Sequence, residues 1–162
     1  MSTDPSSTDT SSDTAQASDV PKPGEFRLEV IALPVSDVDR SKAFYEGLGW
    51  RLDIDFEPTP GIRVVQFTPT GSGCSFSFGE GFIKAEPGSV ERLEMAVHDI
   101  EAARDELIGH GVEVGEIYHL GEGGFVSGPD PDRSSYNSYA DFSDPDGNGW
   151  VLQEITERLP GR

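Results

Sequence analysis

Two stretches of this chain carry the same punctuation, 62 residues apart. Asp37 opens the first and Gly49 closes it twelve positions later; Asp99 and Gly111 repeat that spacing in the second. An alternating apolar segment precedes each Asp: Ile31, Leu33 and Val35 in one, Leu93, Met95 and Val97 in the other. Such alternation marks a half-buried strand. Each Asp stands where a helix N-cap belongs, and each Gly where a left-handed residue ends the helix. Between them, Phe44, Tyr45 and Leu48, and then Ile100, Ala103 and Leu107, supply apolar helix faces. A strand–Asp–helix–Gly unit recurring at one offset is an internal repeat, and it predicts a duplicated supersecondary unit.

The residues after each helix extend the pattern. Strand-like segments at 51–56, 62–68 and 74–78 are parted by Pro58, Thr59, Pro60 and Gly61, and by Gly71, Ser72 and Gly73. In the second copy the corresponding segments are 112–119, 138–142 and 150–155, interrupted by a long Gly/Pro loop at 121–135. The expected fold class is therefore α+β: two tandem βαβββ modules, 26–80 and 90–157, within one domain spanning 25–158. A chain of 162 residues suits two such units around a shared core. Residues 1–24 are dominated by Ser, Thr, Asp, Pro and Ala, which bury too little apolar area to offset ordering; a disordered acidic tail is expected.

Charge narrows the partners. Twelve Lys and Arg stand against 30 Asp and Glu, a net charge of −18. The tail, with four Asp and Lys22, holds −3 of it, so −15 belongs to the rest. A surface this acidic repels phosphate backbones and anionic lipid, which argues against nucleic-acid and membrane partners. No apolar run approaches the ~20 residues a spanning helix needs, and the first residues lack the basic flank and apolar stretch of a secretory signal. Cys74 is the one cysteine, so no internal disulfide can form; that favours a reducing, cytoplasmic setting.

Two βαβββ units, the first opening with LEVIALPVSDVDRSKAFYEGLGW and the second closing with FSDPDGNGWVLQE, resemble the glyoxalase/bleomycin-resistance/dioxygenase superfamily, the vicinal oxygen chelate proteins. The resemblance covers about residues 26–157. It implies two half-barrels facing one another around a cavity, and commonly a homodimer. Catalytic members hold a divalent metal there through His, Gln or Glu. The matching positions here are Val30, Phe76 or Ser77, Arg92 and Val151, and none of these is a usual metal ligand. Among nearby carboxylates, strand parity turns Glu29, Glu91 and Glu154 away from the cavity. Glu94 shares the face of Arg92 and reads as its salt-bridge partner. No metal and no other cofactor are expected.

Parity packs Ile31, Leu33, Val35, Leu93, Met95 and Val97 on the helices and presents Val30, Ala32, Arg92, Glu94 and Ala96 on the opposite face. Gln66, Tyr139 and Gln153 join them as candidate ligand-binding residues, with His119, at a strand end, as a candidate acid or base. An arginine beside a carboxylate and amides in an apolar pocket suits a small organic partner bearing an acid or carbonyl. His98 at a turn and His110 at a helix end read as surface residues, and Cys74 as an inert thiol. Asp144, Asp146 and Asn148 mimic the start of a calcium loop. Ile155 stands where that loop needs Glu, so a hairpin turn is expected. The Gly clusters lack phosphate-loop spacing.

Three functions stay open. The favoured one is a metal-independent binder of a small organic molecule. The others are a metal-independent acid–base enzyme using Arg92 and Glu94, with His119 or Tyr139, and a metal-dependent lyase or extradiol dioxygenase with atypical ligands.

Overall fold

The computed structural model describes residues 20–161. Most of the expected tail at 1–24 therefore lies outside the described residues. Both repeat units form as their punctuation dictates. A first strand, β1 (Val30–Ala32), leads into helix α1 (Val38–Gly47), and β5 (Leu93–Val97) leads into α2 (Ile100–Gly109). The Asp37 carboxylate accepts from Arg40 N at 2.9 Å, and Asp99 accepts from Ala102 N at 3.0 Å. Each cap satisfies one of the N–H groups that a helix start leaves unpaired. Gly49 and Gly111 take φ of 74° and 84°, the left-handed stop that other residues adopt only with strain.

After α1 come β2 (Arg51–Thr59), β3 (Ile62–Thr68) and β4 (Ser75–Glu80). They form a four-stranded sheet in the order β1-β4-β3-β2, with β1 and β4 parallel. After α2 come β6 (Tyr118–Gly121), β7 (Gly124–Ser127), β8 (Ser138–Ser143) and β9 (Gly149–Glu154). The second sheet runs β5-β9-β8-β6-β7, again with a parallel pair, β5 and β9. The fold is α+β with two modules, and the second carries one strand more than the repeat predicts.

That extra strand corrects two expectations. The segment 112–119 is not a strand along its length: Val114 makes only an isolated bridge to Phe142, and β6 starts at Tyr118. The cause lies on α2, where Arg104 donates to the carbonyls of Val114 and Gly115, groups a ladder would otherwise use. The loop at 121–135 opens as a hairpin, with His119 opposite Val126 and Leu120 opposite Phe125. Glycines that read as breakers are its turn.

The helix-facing sides of both sheets meet in one core. Tyr45 is fully buried at its centre, ringed by Phe67, Phe76 and Phe78 of the first sheet and Trp150 of the second, with centroids 4.6 to 6.2 Å away. Trp50 and Trp150 meet edge-on at 5.5 Å. Ile31, Val35, Leu93, Met95 and Val97 pack against this core and Leu33 lies inside it, as parity predicts. A buried phenol needs partners. The Tyr45 hydroxyl donates to Asp144 Oδ2 at 3.0 Å and accepts from Trp150 Nε1 at 3.1 Å. Burial, reinforced by Asp144, pushes its ionisation far above that of an ordinary tyrosine.

Asp144 opens the turn between β8 and β9, the segment that mimics a calcium loop. Its oxygens are occupied by the main-chain N–H groups of Asp146 and Asn148 and by the Asn148 amide. Asn148 is fully buried and reaches across the chain, donating to Pro34 O at 2.9 Å and accepting from Val90 N at 3.3 Å. On the rim, Asp146 receives Arg40 at 2.9 Å and the Ser36 side chain. The turn of the second module is thus sewn to the β1–α1 junction of the first. Among the described residues no helix is long and apolar enough to cross a membrane.

Two outcomes follow for stability. Asn148→Ala leaves Pro34 O, Val90 N and Asp144 without their buried partner and should cost about 2 kcal/mol in urea unfolding. Hydrogen bonds from Arg63 on β3 and Lys42 on α1 hold the Asp55 carboxyl of β2 down at about 2. A depressed carboxylate stabilises the fold above its unfolded pKa of roughly 4 and loses that effect as pH falls towards the folded value. The stability difference between the protein and Asp55→Asn should therefore be full near neutrality and shrink steadily below about pH 4.

Candidate functional site

Each sheet buries one face in the core and leaves the other open. On the first sheet the open face carries Val30, Ile54, Phe56 and Gln66, and the three apolar side chains are substantially exposed. Asp53 sits beside them, accepting from the Thr68 hydroxyl and from Gln66 Nε2 at 3.3 Å. Burial pushes its carboxyl up, but the bonds from Thr68, Arg51 and Gln66 outweigh this and hold it below the usual range. Gln66 is thus already engaged, on a different sheet from the other candidate residues.

The second sheet gathers the rest. Arg92 Nε donates to Glu94 Oε1 at 2.7 Å, and its guanidinium carbon lies 5.6 Å from the centroid of the Tyr139 ring. That distance is within cation–π range. The bond to Glu94 pushes Arg92 higher still, so it stays cationic. Tyr139 and Gln153 are paired across β8 and β9, and both the Tyr139 hydroxyl and Gln153 Nε2 donate to Tyr136 O. The structure therefore brings Arg92, Glu94, Tyr139 and Gln153 onto one face. His119 is not with them. Its neighbours across the ladder are Val126 and Ser138, which turns it to the opposite side from Tyr118, and its Nδ1 lies 2.8 Å from Gly128 O.

Three further residues complete the face. Tyr118 stacks on Tyr139 at 5.4 Å, meets Phe125 edge-on at 5.2 Å, and donates to Asp141 Oδ1 at 3.1 Å. Burial, aided by Asp141, raises the Tyr118 phenol, so it remains protonated. The sequence signal for Tyr118 and Phe125 was present as alternation within β6 and β7, masked by the flanking glycines. A groove of about 560 Å³ runs between residues 69–76 of the first module and 92–96 of the second, with Trp150 and Arg158 also on its walls. Arg92 and Glu94 border it where the modules meet.

Residues 27–152 match the family profile described as the Glyoxalase/Bleomycin resistance protein/Dioxygenase superfamily. The chain belongs to this superfamily. Among solved structures it resembles TnmS3, an antibiotic binding protein from Streptomyces sp. CB03234: 29% identity and a TM-score of 0.62, over 82% of this chain and 98% of that one. A glyoxalase/bleomycin resistance protein from the same organism is 30% identical with a TM-score of 0.60, over 79% and 100% of the two chains. A superfamily member from Sphaerobacter thermophilus DSM 20745 shares the fold at 24% identity, with a TM-score of 0.62 over 80% and 98%. No curated protein matches the chain.

Superfamily enzymes imply a metal, and the side chains decide whether one fits here. Phe76 lies in the core, leaving Ser77, paired with Ala32 and Gln66, as the candidate on β4. Val30 and Val151 offer alkyl groups, Ser77 a neutral hydroxyl and Arg92 a cation. Among the described residues no three His, Cys, Asp or Glu side chains converge. This donor set does not fit a divalent ion.

The fourth carboxylate near those positions has other work. Glu154 is fully buried on the core side of β9, taking two bonds from Arg133, at 2.6 and 3.0 Å, and one from Ile100 N at 3.0 Å. Breaking such a pair strands a charge. Arg133→Met should lower the melting temperature by more than Glu94→Gln, which only opens the exposed pair with Arg92.

Proposed function

We propose that the chain binds a small organic molecule carrying an acid or carbonyl group and an aromatic ring, without turning it over and without a divalent metal. The carrying observation is Arg92, a fixed cation anchored by Glu94 and laid over Tyr139 on an open, aromatic sheet face. Glu94 occupies the Nε edge of the guanidinium and Tyr118 also lies within its reach, so the N–H groups turned away from these two are left for a carboxylate or carbonyl. Tyr118, Tyr139 and Phe125 supply the apolar wall such pockets use. The likeness to an antibiotic binding protein supports a binding role over catalysis. So does the placement of His119, which leaves no imidazole on the face.

The open faces also favour a homodimer. Val30, Ile54 and Phe56 on one sheet, and Leu120 and Phe125 on the other, are apolar side chains left in water. A second copy covering them would close the ligand site and bring Gln66 to it. A cytoplasmic setting rests on the lone Cys74.

The test is binding of 2-naphthoate, followed by tryptophan fluorescence, against its neutral amide and in Arg92→Ala. The acid should bind best, and the substitution should weaken it about tenfold, roughly 1.4 kcal/mol. Equal affinity in the variant would reduce Arg92 to a structural residue. Chelator treatment should leave affinity unchanged; a stoichiometric metal needed for binding would overturn the metal-free reading. Sedimentation should report a dimer.

A further inference from the structure

Two non-glycine residues hold left-handed backbone in the segment leading to β8: Arg133 with φ 52° and Tyr136 with φ 71°. Such conformations cost free energy and persist only where surroundings enforce them. Here the enforcement is visible. Arg133 is tied by its bidentate bond to buried Glu154. Tyr136 N donates to Glu154 O at 2.7 Å, and the Tyr136 hydroxyl accepts from Leu159 N at 3.2 Å. The result is a carbonyl, Tyr136 O, aimed at the open face, where it takes the Tyr139 hydroxyl proton and one Gln153 amide proton.

This settles the polarity of the face. A hydroxyl has one proton and a primary amide two. With its proton committed, Tyr139 Oη can only accept from a ligand. Gln153 retains Oε1 as an acceptor and its second amide proton as a donor, and Tyr118 has likewise given its proton to Asp141. Arg92 is the charged donor. The face therefore presents a cationic donor beside hydroxyl and amide acceptors, and the bound molecule must answer both.

Resting on the binding role proposed above, we infer that the ligand carries a hydroxyl or N–H donor besides its acid or carbonyl group. Tyr139 Oη and Gln153 Oε1 receive that donor, and Tyr136 is the positioning residue that keeps both as acceptors. A phenolic aromatic acid or ketone is the simplest such class. A methyl ether at the same place would set oxygen against oxygen and leave the acceptors unpaired.

The experiment compares 2-naphthoate, its isomers hydroxylated on the distal ring, and their methyl ethers. At least one hydroxy isomer should bind about tenfold tighter than its ether. Tyr139→Phe, which keeps the ring and removes the hydroxyl, should abolish that preference, read as the ratio of each isomer's affinity to its ether's. Tyr136→Gly, which adopts the left-handed backbone freely, should retain it; Tyr136→Val, which does not, should lose it. Tyr139→Phe and Tyr136→Gly suffice should Tyr136→Val not fold. Binding of 2-naphthoate with no preference for any hydroxy isomer overturns this inference and leaves the binding role intact. Binding of none of these acids overturns both. Loss of the preference in Tyr136→Gly would assign the effect to the Tyr136 ring and refute its carbonyl's role.

Discussion

The structure depends on one buried hydroxyl. Tyr45 belongs to the first module, yet both its hydrogen-bond partners, Asp144 and Trp150, belong to the second. Its ring packs at a tilt against the aromatics of β3 and β4, so the same side chain serves as core of one sheet and polar contact to the other. Around it the turn at 144–148 satisfies its own main chain through Asp144 and ties the β1–α1 junction through Asn148. Burying polar groups in an aromatic core is unfavourable unless all are paired. Here they are paired only when both modules are in register.

Much of this was legible in the sequence, because it rests on local rules. The caps at Asp37 and Asp99, the stops at Gly49 and Gly111, and the inward faces of β1 and β5 follow from alternation and capping alone. The turn at 144–148 was recognisable as a hairpin, but its function as a clamp was not, since Pro34 lies 114 positions from Asn148. The strand at 112–119 failed for a similar reason: Arg104 claims its carbonyls from a neighbouring helix. No composition rule announces such a contact.

At the site, parity put Arg92 and Glu94 on one face, and the structure sets Tyr139 and Gln153 beside them, because each lies in a regular strand or beside one. His119, offered for its place at a strand end, follows Tyr118 and so points the other way. Gln66, offered with them, lies on a separate sheet of the chain. Tyr136 carried no signal at all. Its contribution is made by the main chain, in a conformation that nothing in a tyrosine suggests. The strong acidity of the chain, meanwhile, makes Arg92 more telling: it is a cation presented to an open face by a protein that otherwise repels anions.

The shared core changes how the duplication itself should be understood. Two units of similar sequence suggest two bodies that once stood alone, yet neither half here could shelter Tyr45 or Trp150 without the other. A fragment ending between the modules would expose an aromatic surface shaped to receive its missing counterpart. Cut in the linker, the halves would behave as a pair of complementing peptides. Assembly from matching pieces is therefore inherent in this architecture, and a chain that carries both pieces has made an association between molecules into an internal one.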